Sequence, residues 1–321
     1  MKEISIHEIG PVGIGQVEDA AAGTGCTVIV AKDGMRAGLD VRGGGPASRE
    51  TQLLNPLMAA QVIHAVVLGG GSAFGLGAAN GVMACLEERR IGLPVGVTQV
   101  PLVVQSDIFD LSVGDPFTRP DPAMGYEAAR RALEAPNYRD GNFGAGCGAT
   151  VGKICGMGRA VKTGIGSFAV QVGELKVGAI SVVNAVGDIF DWKSGKQIAG
   201  PLSEDGSAFL RTAEIMKERY EKAGDIPTNT TISIVLTNAS FRKAELCKIA
   251  GMAHDGYARS IHPVHTSMDG DSIYAVSVGD VQADQDLVGT LAAEVISEAI
   301  LRAVTSAESA YGIHAVRDLF R

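Results

Sequence analysis

Short apolar, β-branched runs alternate along this chain with glycine-rich breaks and with segments of helical period. Residues 26–31 read as a strand, Lys32-Asp33-Gly34 as a turn, and residues 36–42 as a second strand ended by Gly43-Gly44-Gly45-Pro46. Residues 62–68 form another apolar run, which feeds a glycine stretch at 69–77 and then a helix to about Arg90. Residues 102–111 are apolar with two internal aspartates, Asp107 and Asp110. Pro120-Asp121-Pro122 opens a helix with proline in its first turn, and residues 123–134 carry the amphipathic pattern. After a glycine-rich loop at 137–148, residues 164–172 and 174–183 predict a hairpin turning at Gly173-Glu174. Residues 203–223 predict a polar helix, 241–257 another, 272–278 a strand, and 284–307 a long helix with Leu287, Leu291, Val295 and Ile296 on one face. Between the first and second of these lie residues 227–238, a polar loop that turns into a buried strand from Thr231 onward. Neither a repeat nor a linker interrupts the pattern, so the expectation is an α/β (α+β) chain forming a single domain over 1–321.

Composition narrows this picture. The chain has 321 residues, of which 46% are hydrophobic and 20% charged, the ordinary balance of a globular protein. Aromatic residues make up only 5% while glycines number 42, so the core must come from aliphatic side chains and close backbone approach. A net charge of −8 argues against nucleic acid as a partner. Arg89-Arg90 and Arg130-Arg131 read as helix-surface pairs. No run reaches the ~20 apolar residues of a membrane span, and the N-terminus lacks the shape of a secretory signal, so a cytoplasmic protein without a membrane partner is expected. Five scattered cysteines (Cys26, Cys85, Cys147, Cys155, Cys247) without CxxC spacing read as reduced core thiols, not as a zinc site.

Several stretches invite chemistry. Gly69 to Gly77 follows a strand and precedes a helix, the context of a phosphate loop, but the sixth position of a GxGxxG pattern is Phe74 and no GKS or GKT follows; helix-on-sheet packing is the better reading. His262 and His265 flank Pro263 and cannot share a helical face, and no third ligand stands out, so no metal or other cofactor is expected. Asp269-Gly270-Asp271 places two carboxylates on one side of an extended loop, which could hold an ammonium group or open the next strand as an Asx turn. Lys153 stands alone in a run of small residues, and Asn184 ends a strand where its amide could close a turn or face a reacting carbonyl. Thr230, at the mouth of a buried strand, is either a β-former or a nucleophile awaiting a free terminus.

Taken together, several segments resemble the nylon-oligomer hydrolase and L-aminopeptidase/D-esterase family, which includes the β-peptidyl aminopeptidases. They are Asn229-Thr230-Thr231-Ile232-Ser233 with Val235-Leu236-Thr237-Asn238, the run Ile261-His262-Pro263-Val264-His265-Thr266-Ser267-Met268-Asp269-Gly270-Asp271, and the stretches 146–153, 182–189 and 68–77. The resemblance implies a four-layer αββα sandwich and a precursor that cuts itself between Asn229 and Thr230 into fragments 1–229 and 230–321. It implies Thr230 as the nucleophile, Lys153 beside it, Asn184 as an oxyanion-hole amide, and Asp269 with Asp271 orienting the freed amine. Family members of the nylon-hydrolase kind carry tyrosine where this chain has Phe109. The resemblance also implies small-molecule or short-peptide substrates and assembly as a tetramer of cleaved heterodimers. An ornithine acetyltransferase-like acyl transferase and a non-catalytic small-ligand-binding protein are the competing expectations.

Overall fold

Alternation along the central strands decides the layering. The computed structural model describes residues 1–220 and 229–319. Its principal strands are β1 (Lys2–Ile4), β2 (Gly13–Asp19), β3 (Thr24–Val41), β4 (Ala47–Arg49), β5 (Ile63–Gly69), β6 (Val103–Asp107), β7 (Thr150–Val151), β8 (Val161–Lys162), β9 (Ile165–Val172), β10 (Leu175–Asn184), β11 (Thr230–Ala239) and β12 (Ser272–Val281). The α-helices are α1 (Ala78–Glu88), α2 (Pro122–Glu134), α3 (Thr212–Tyr220), α4 (Lys243–Ser260) and α5 (Gln285–Thr305). One sheet runs β1-β9-β10-β11-β12-β3; the other runs β2-β3-β5-β6-β4. Strands β7 and β8 form a separate two-stranded ribbon.

On β11, Ile232, Ile234 and Leu236 point into an apolar layer shared with Ile14, Ile29, Leu68, Val104 and Ile180 from both sheets. Val235 and Ala239 join the opposite layer, with Leu246 and Ile249 of α4 and Ile296 and Ile300 of α5. A third layer packs Val28 and Val67 against Val82, Leu86, Ala128 and Ala129 of α1 and α2. Three apolar layers separate four structural ones, helix, sheet, sheet, helix, which is the sandwich expected from the resemblance. Glycine permits the closest approaches: a Cβ on Gly81 of α1 would lie 1.7 Å from the Pro122 carbonyl oxygen of α2.

Three expectations need correction. The two strands expected at 26–31 and 36–42 are one, β3, and the expected turn is an irregularity inside it. Residues up to Val30 pair with β2 and β5 while Arg36–Val41 pairs with β12, so the strand passes from one sheet to the other with Gly34 at φ 80° at the shift. The polar helix expected from residue 203 begins only at Thr212, because Asp205 accepts hydrogen bonds from Ser203 Oγ and from Ser207 and closes a turn there; its expected end at 221–223 lies outside the described residues, as do Pro227 and Thr228. Leu287 is exposed, and Val288 instead begins the buried face of α5.

Candidate active site

Strand register brings the singled-out residues together. Thr230, the first residue of β11, pairs with Asn184, the last residue of β10. On the other side Ile232 pairs with Ser272, the first residue of β12, so the Asp269-Gly270-Asp271 loop runs alongside Asn229–Thr231. The Asp271 carboxylate accepts the Thr231 N–H at 2.8 Å. The Asn229 N–H donates to the Met268 carbonyl at 3.0 Å, and the Gly270 N–H donates to the Asn229 carbonyl at 3.2 Å. The Thr230 hydroxyl donates to that same Asn229 carbonyl. A nucleophile-type oxygen and a backbone N–H donor thus converge on the carbonyl of one peptide bond. Gly270 has no room for more: a Cβ there would sit 2.8 Å from Thr230 Oγ1 and 3.0 Å from the Gly45 carbonyl oxygen. The Gly43-Gly44-Gly45 segment straps the loop from outside, with Gly44 N–H on the Thr266 carbonyl at 3.1 Å and Gly45 N–H on the Asp269 carbonyl at 2.8 Å.

Beside Thr230 lies a buried lysine. Gly152, at φ 73°, turns the chain so that Lys153 points inward, and Lys153 Nζ donates to Asn184 Oδ1 at 2.6 Å and to the Thr150 carbonyl at 2.9 Å. Burial lowers the Lys153 pKa to about 7, opposed by the negative charges of Asp269 and Asp110 and reinforced by Lys162. Asn184 Oδ1 also accepts the Thr150 N–H at 3.1 Å, which fixes the amide with its nitrogen toward the Phe109 carbonyl, 2.9 Å away. In this arrangement the Asn229 carbonyl takes its N–H from Gly270, while Asn184 directs its own N–H to Phe109. Asp269 accepts from Thr266 Oγ1 at 2.6 Å, the Thr266 N–H at 3.2 Å and the Val186 N–H at 3.3 Å. Burial, aided by the charge of Asp271, raises its pKa to about 6.

The two histidines part company. His262 stacks on Phe190, with ring centroids 4.8 Å apart. His265, at φ 59°, meets Asp271 Oδ2 twice, through its backbone N–H at 3.1 Å and Nδ1 at 2.9 Å. The glycine stretch 69–77 wraps carboxylates: Gly71 N–H donates to Asp110 at 2.7 Å, and Gly69 and Gly75 lie against the buried Asp107.

Sequence reasoning missed Lys162, Gly270, His265 in its actual role, and the Gly43–Gly45 strap. Lys162 is fully buried, and its Nζ donates to the carbonyls of Gly146, Ala149 and Thr163. Three acceptors match the three N–H bonds of an ammonium. It holds the loop that delivers Thr150, and with it Lys153 and Asn184. The signal was present, since Lys162 stands among small residues just as Lys153 does.

Known proteins resemble this chain over most of its length. A protein named as an uncharacterized aminopeptidase from Mycobacterium bovis is 34% identical over 346 aligned positions covering 98% of each chain. A 6-aminohexanoate-oligomer endohydrolase from Agromyces sp. is 31% identical, covering 94% of this chain and 86% of its own. Among solved structures, the L-aminopeptidase D-Ala-esterase/amidase of Ochrobactrum anthropi, described as a variant of the Ntn hydrolase fold, superposes with a TM-score of 0.69 at 17% identity, covering 95% of this chain and 86% of that one. A Burkholderia sp. β-aminopeptidase superposes with a TM-score of 0.67 at 18% identity, over 96% and 89%. Fold and relatives together define a hydrolase of amide bonds. The sequence profile of Peptidase family S58 matches residues 5–317, and the chain belongs to that family.

Proposed function

We propose that this protein is a self-processing hydrolase whose nucleophile is Thr230. The observation that carries the reading is the convergence of the Thr230 hydroxyl and the Gly270 N–H on the Asn229 carbonyl. The hydroxyl oxygen adds to that carbonyl carbon, the carbon–nitrogen bond to Thr230 breaks, and the hydroxyl proton passes to the nitrogen. The product is an ester of Asn229 on Thr230 and a free α-amine. Water then cleaves the ester, giving a carboxylate at Asn229 and restoring the hydroxyl. Burial of both Asn229 and Thr230 keeps external amides from the hydroxyl until the preceding segment has left.

In the matured enzyme the α-amine, with an ordinary pKa of ~7.7–8.0, serves as base for its own hydroxyl. The hydroxyl attacks a substrate amide or ester, and the acyl-enzyme hydrolyses. Lys153, with its pKa about 7, exchanges a proton close to neutrality and holds Asn184 in place; Gly270 supplies its N–H to the developing oxyanion, and the second N–H of the Asn184 amide, whose first is on the Phe109 carbonyl, is the further donor. Asp271 fixes the backbone next to the nucleophile, and Asp269 sets the local charge. Short peptides and amino-acid amides are the substrates this chemistry suits best, with 6-aminohexanoate oligomers as slower ones, and a tetramer of cleaved heterodimers in the cytoplasm is the working form. Denaturing gels test the reading. The wild-type chain should appear as fragments 1–229 and 230–321, and Thr230→Ala as one intact, inactive chain; a Thr230→Ala protein that is still split there refutes it.

A further inference from the structure

We propose that the acyl subsite of the matured enzyme is the slot filled in the precursor by Asn229, formed by the Met268 carbonyl and the Gly270 N–H. It takes α-aminoacyl units gripped through their backbone N–H, whether that nitrogen is free or acylated. This rests on Thr230 being the nucleophile. The ester formed during self-processing is chemically an acyl-enzyme, with Asn229 as the acyl group on the oxygen that later carries substrate. Whatever holds Asn229 while its ester forms is therefore built to hold a substrate's acyl residue.

The slot has a definite specificity. Asn229 forms a parallel one-residue bridge to Asp269, its N–H on the Met268 carbonyl at 3.0 Å and its carbonyl under the Gly270 N–H at 3.2 Å. Both bonds form together only if the acyl group bears its N–H donor on the carbon next to the carbonyl. A 6-aminohexanoyl group, with its nitrogen at the far end of a methylene chain, makes the second bond without the first. The neighbouring carboxylates are already engaged: both oxygens of Asp269 hold donors from Val186 and Thr266, and both oxygens of Asp271 hold donors from Thr231 and His265. The acceptor that faces the Asn229 nitrogen is the Met268 carbonyl, which needs a donor and not a positive charge. Asn229's nitrogen is itself acylated in the precursor, so the bond to Met268 does not require a free amine. The glycine strap on Asp269 and Thr266 fixes the spacing of the two groups.

Turnover follows the same balance as self-cleavage. Thr230 oxygen bonds to the acyl carbon, the bond to the leaving amine breaks, and the hydroxyl proton goes to that nitrogen. Water then releases the acid and returns the hydroxyl.

The test uses matured enzyme and four p-nitroanilides: alanyl, N-acetylalanyl, 2-methoxypropanoyl and 6-aminohexanoyl. Alanyl and N-acetylalanyl should agree in kcat/KM within about tenfold. The 2-methoxypropanoyl compound, similar in shape but without a donor, should fall about 10–100-fold below alanyl, and 6-aminohexanoyl at least as far, since a buried acceptor is left unpaired. Equal turnover of either with alanyl overturns the subsite, as does an inert N-acetylalanyl compound, which would assign recognition to the ammonium charge. A processed enzyme that none of the four acylates also overturns it. Acid-quenched intact mass separates the two readings. An acyl adduct on fragment 230–321 with flat selectivity sinks only the subsite, whereas an adduct mapped to a residue other than Thr230 sinks Thr230 as nucleophile.

Discussion

Gly270→Ala isolates the geometry of the proposed Thr230 nucleophile from its chemistry, because it adds one methyl group and removes no functional atom. That methyl would stand 2.8 Å from Thr230 Oγ1, 3.0 Å from the Gly45 carbonyl oxygen and 3.1 Å from Pro46 Cα, where ordinary contact begins at 3.4 Å. Gly45 is tied to the Asp269 carbonyl at 2.8 Å, so the yielding partner is the threonine side chain, which must retreat by roughly half an ångström. Reactions of this kind need the reacting atoms ~3–3.5 Å apart, and a misplacement of ~1 Å costs ~100-fold, so half of that costs about tenfold. Pushing the side chain about 30° off its rotamer adds ~0.5–1.5 kcal/mol, bringing the expected slowing of self-cleavage to about 20–100-fold. A gel time course after refolding measures this. Gly158→Ala, where an added Cβ meets nothing within 4 Å, is the control and should process normally. Gly270→Ala processed within a factor of two of wild type would refute the placement of Thr230 against this loop.

Other variants probe the supporting groups. Lys162→Met removes the charge that helps depress Lys153, so the Lys153 pKa rises from about 7 and the limb of the kcat/KM–pH profile that it sets moves to higher pH. A lower rate with an unmoved profile would make Lys162 purely structural. His265→Asn keeps both a donor near the Nδ1 position and a residue tolerant of φ 59°, whereas His265→Leu keeps neither. Processing and turnover should survive in the first and fall about 10-fold or more in the second, from the lost hydrogen bond to a buried carboxylate; equal behaviour of the pair would remove the His265–Asp271 contact from the account. Asp269 has a folded pKa near 6, above its ordinary 3.8, so the native state binds the extra proton between these values. Ionised Asp269 is therefore present only above about pH 6, so below it a second protonation steepens the fall in activity that protonation of the α-amine has begun; Asp269→Asn should leave the shallower, one-proton limb.

Much of the fold could be read from the chain because the strands declare themselves locally. The β9–β10 hairpin and β11 stand where their β-branched runs lie, and Asn184 and Thr230 fall at strand ends that the pattern already marks. Three-dimensional approach between distant segments was not legible. Lys32-Asp33-Gly34 has turn composition, yet it lies within β3 because two sheets claim the strand's two halves. Gly270 reads as a turn glycine in sequence, and only its distance to Thr230 and Gly45 shows why a side chain is excluded. The aspartate pair reads in sequence as a grip for an ammonium group or as an Asx turn, and only the fold shows that its oxygens hold backbone and side-chain donors from residues 186, 231, 265 and 266.

The central claim concerns one peptide bond. Intact-mass analysis of the purified wild-type chain, with N-terminal sequencing of its smaller fragment, measures it directly. The account predicts two species and a new terminus reading Thr-Thr-Ile-Ser from Thr230. A chain of 33.2 kDa that hydrolyses amides with residues 229 and 230 still joined would contradict it.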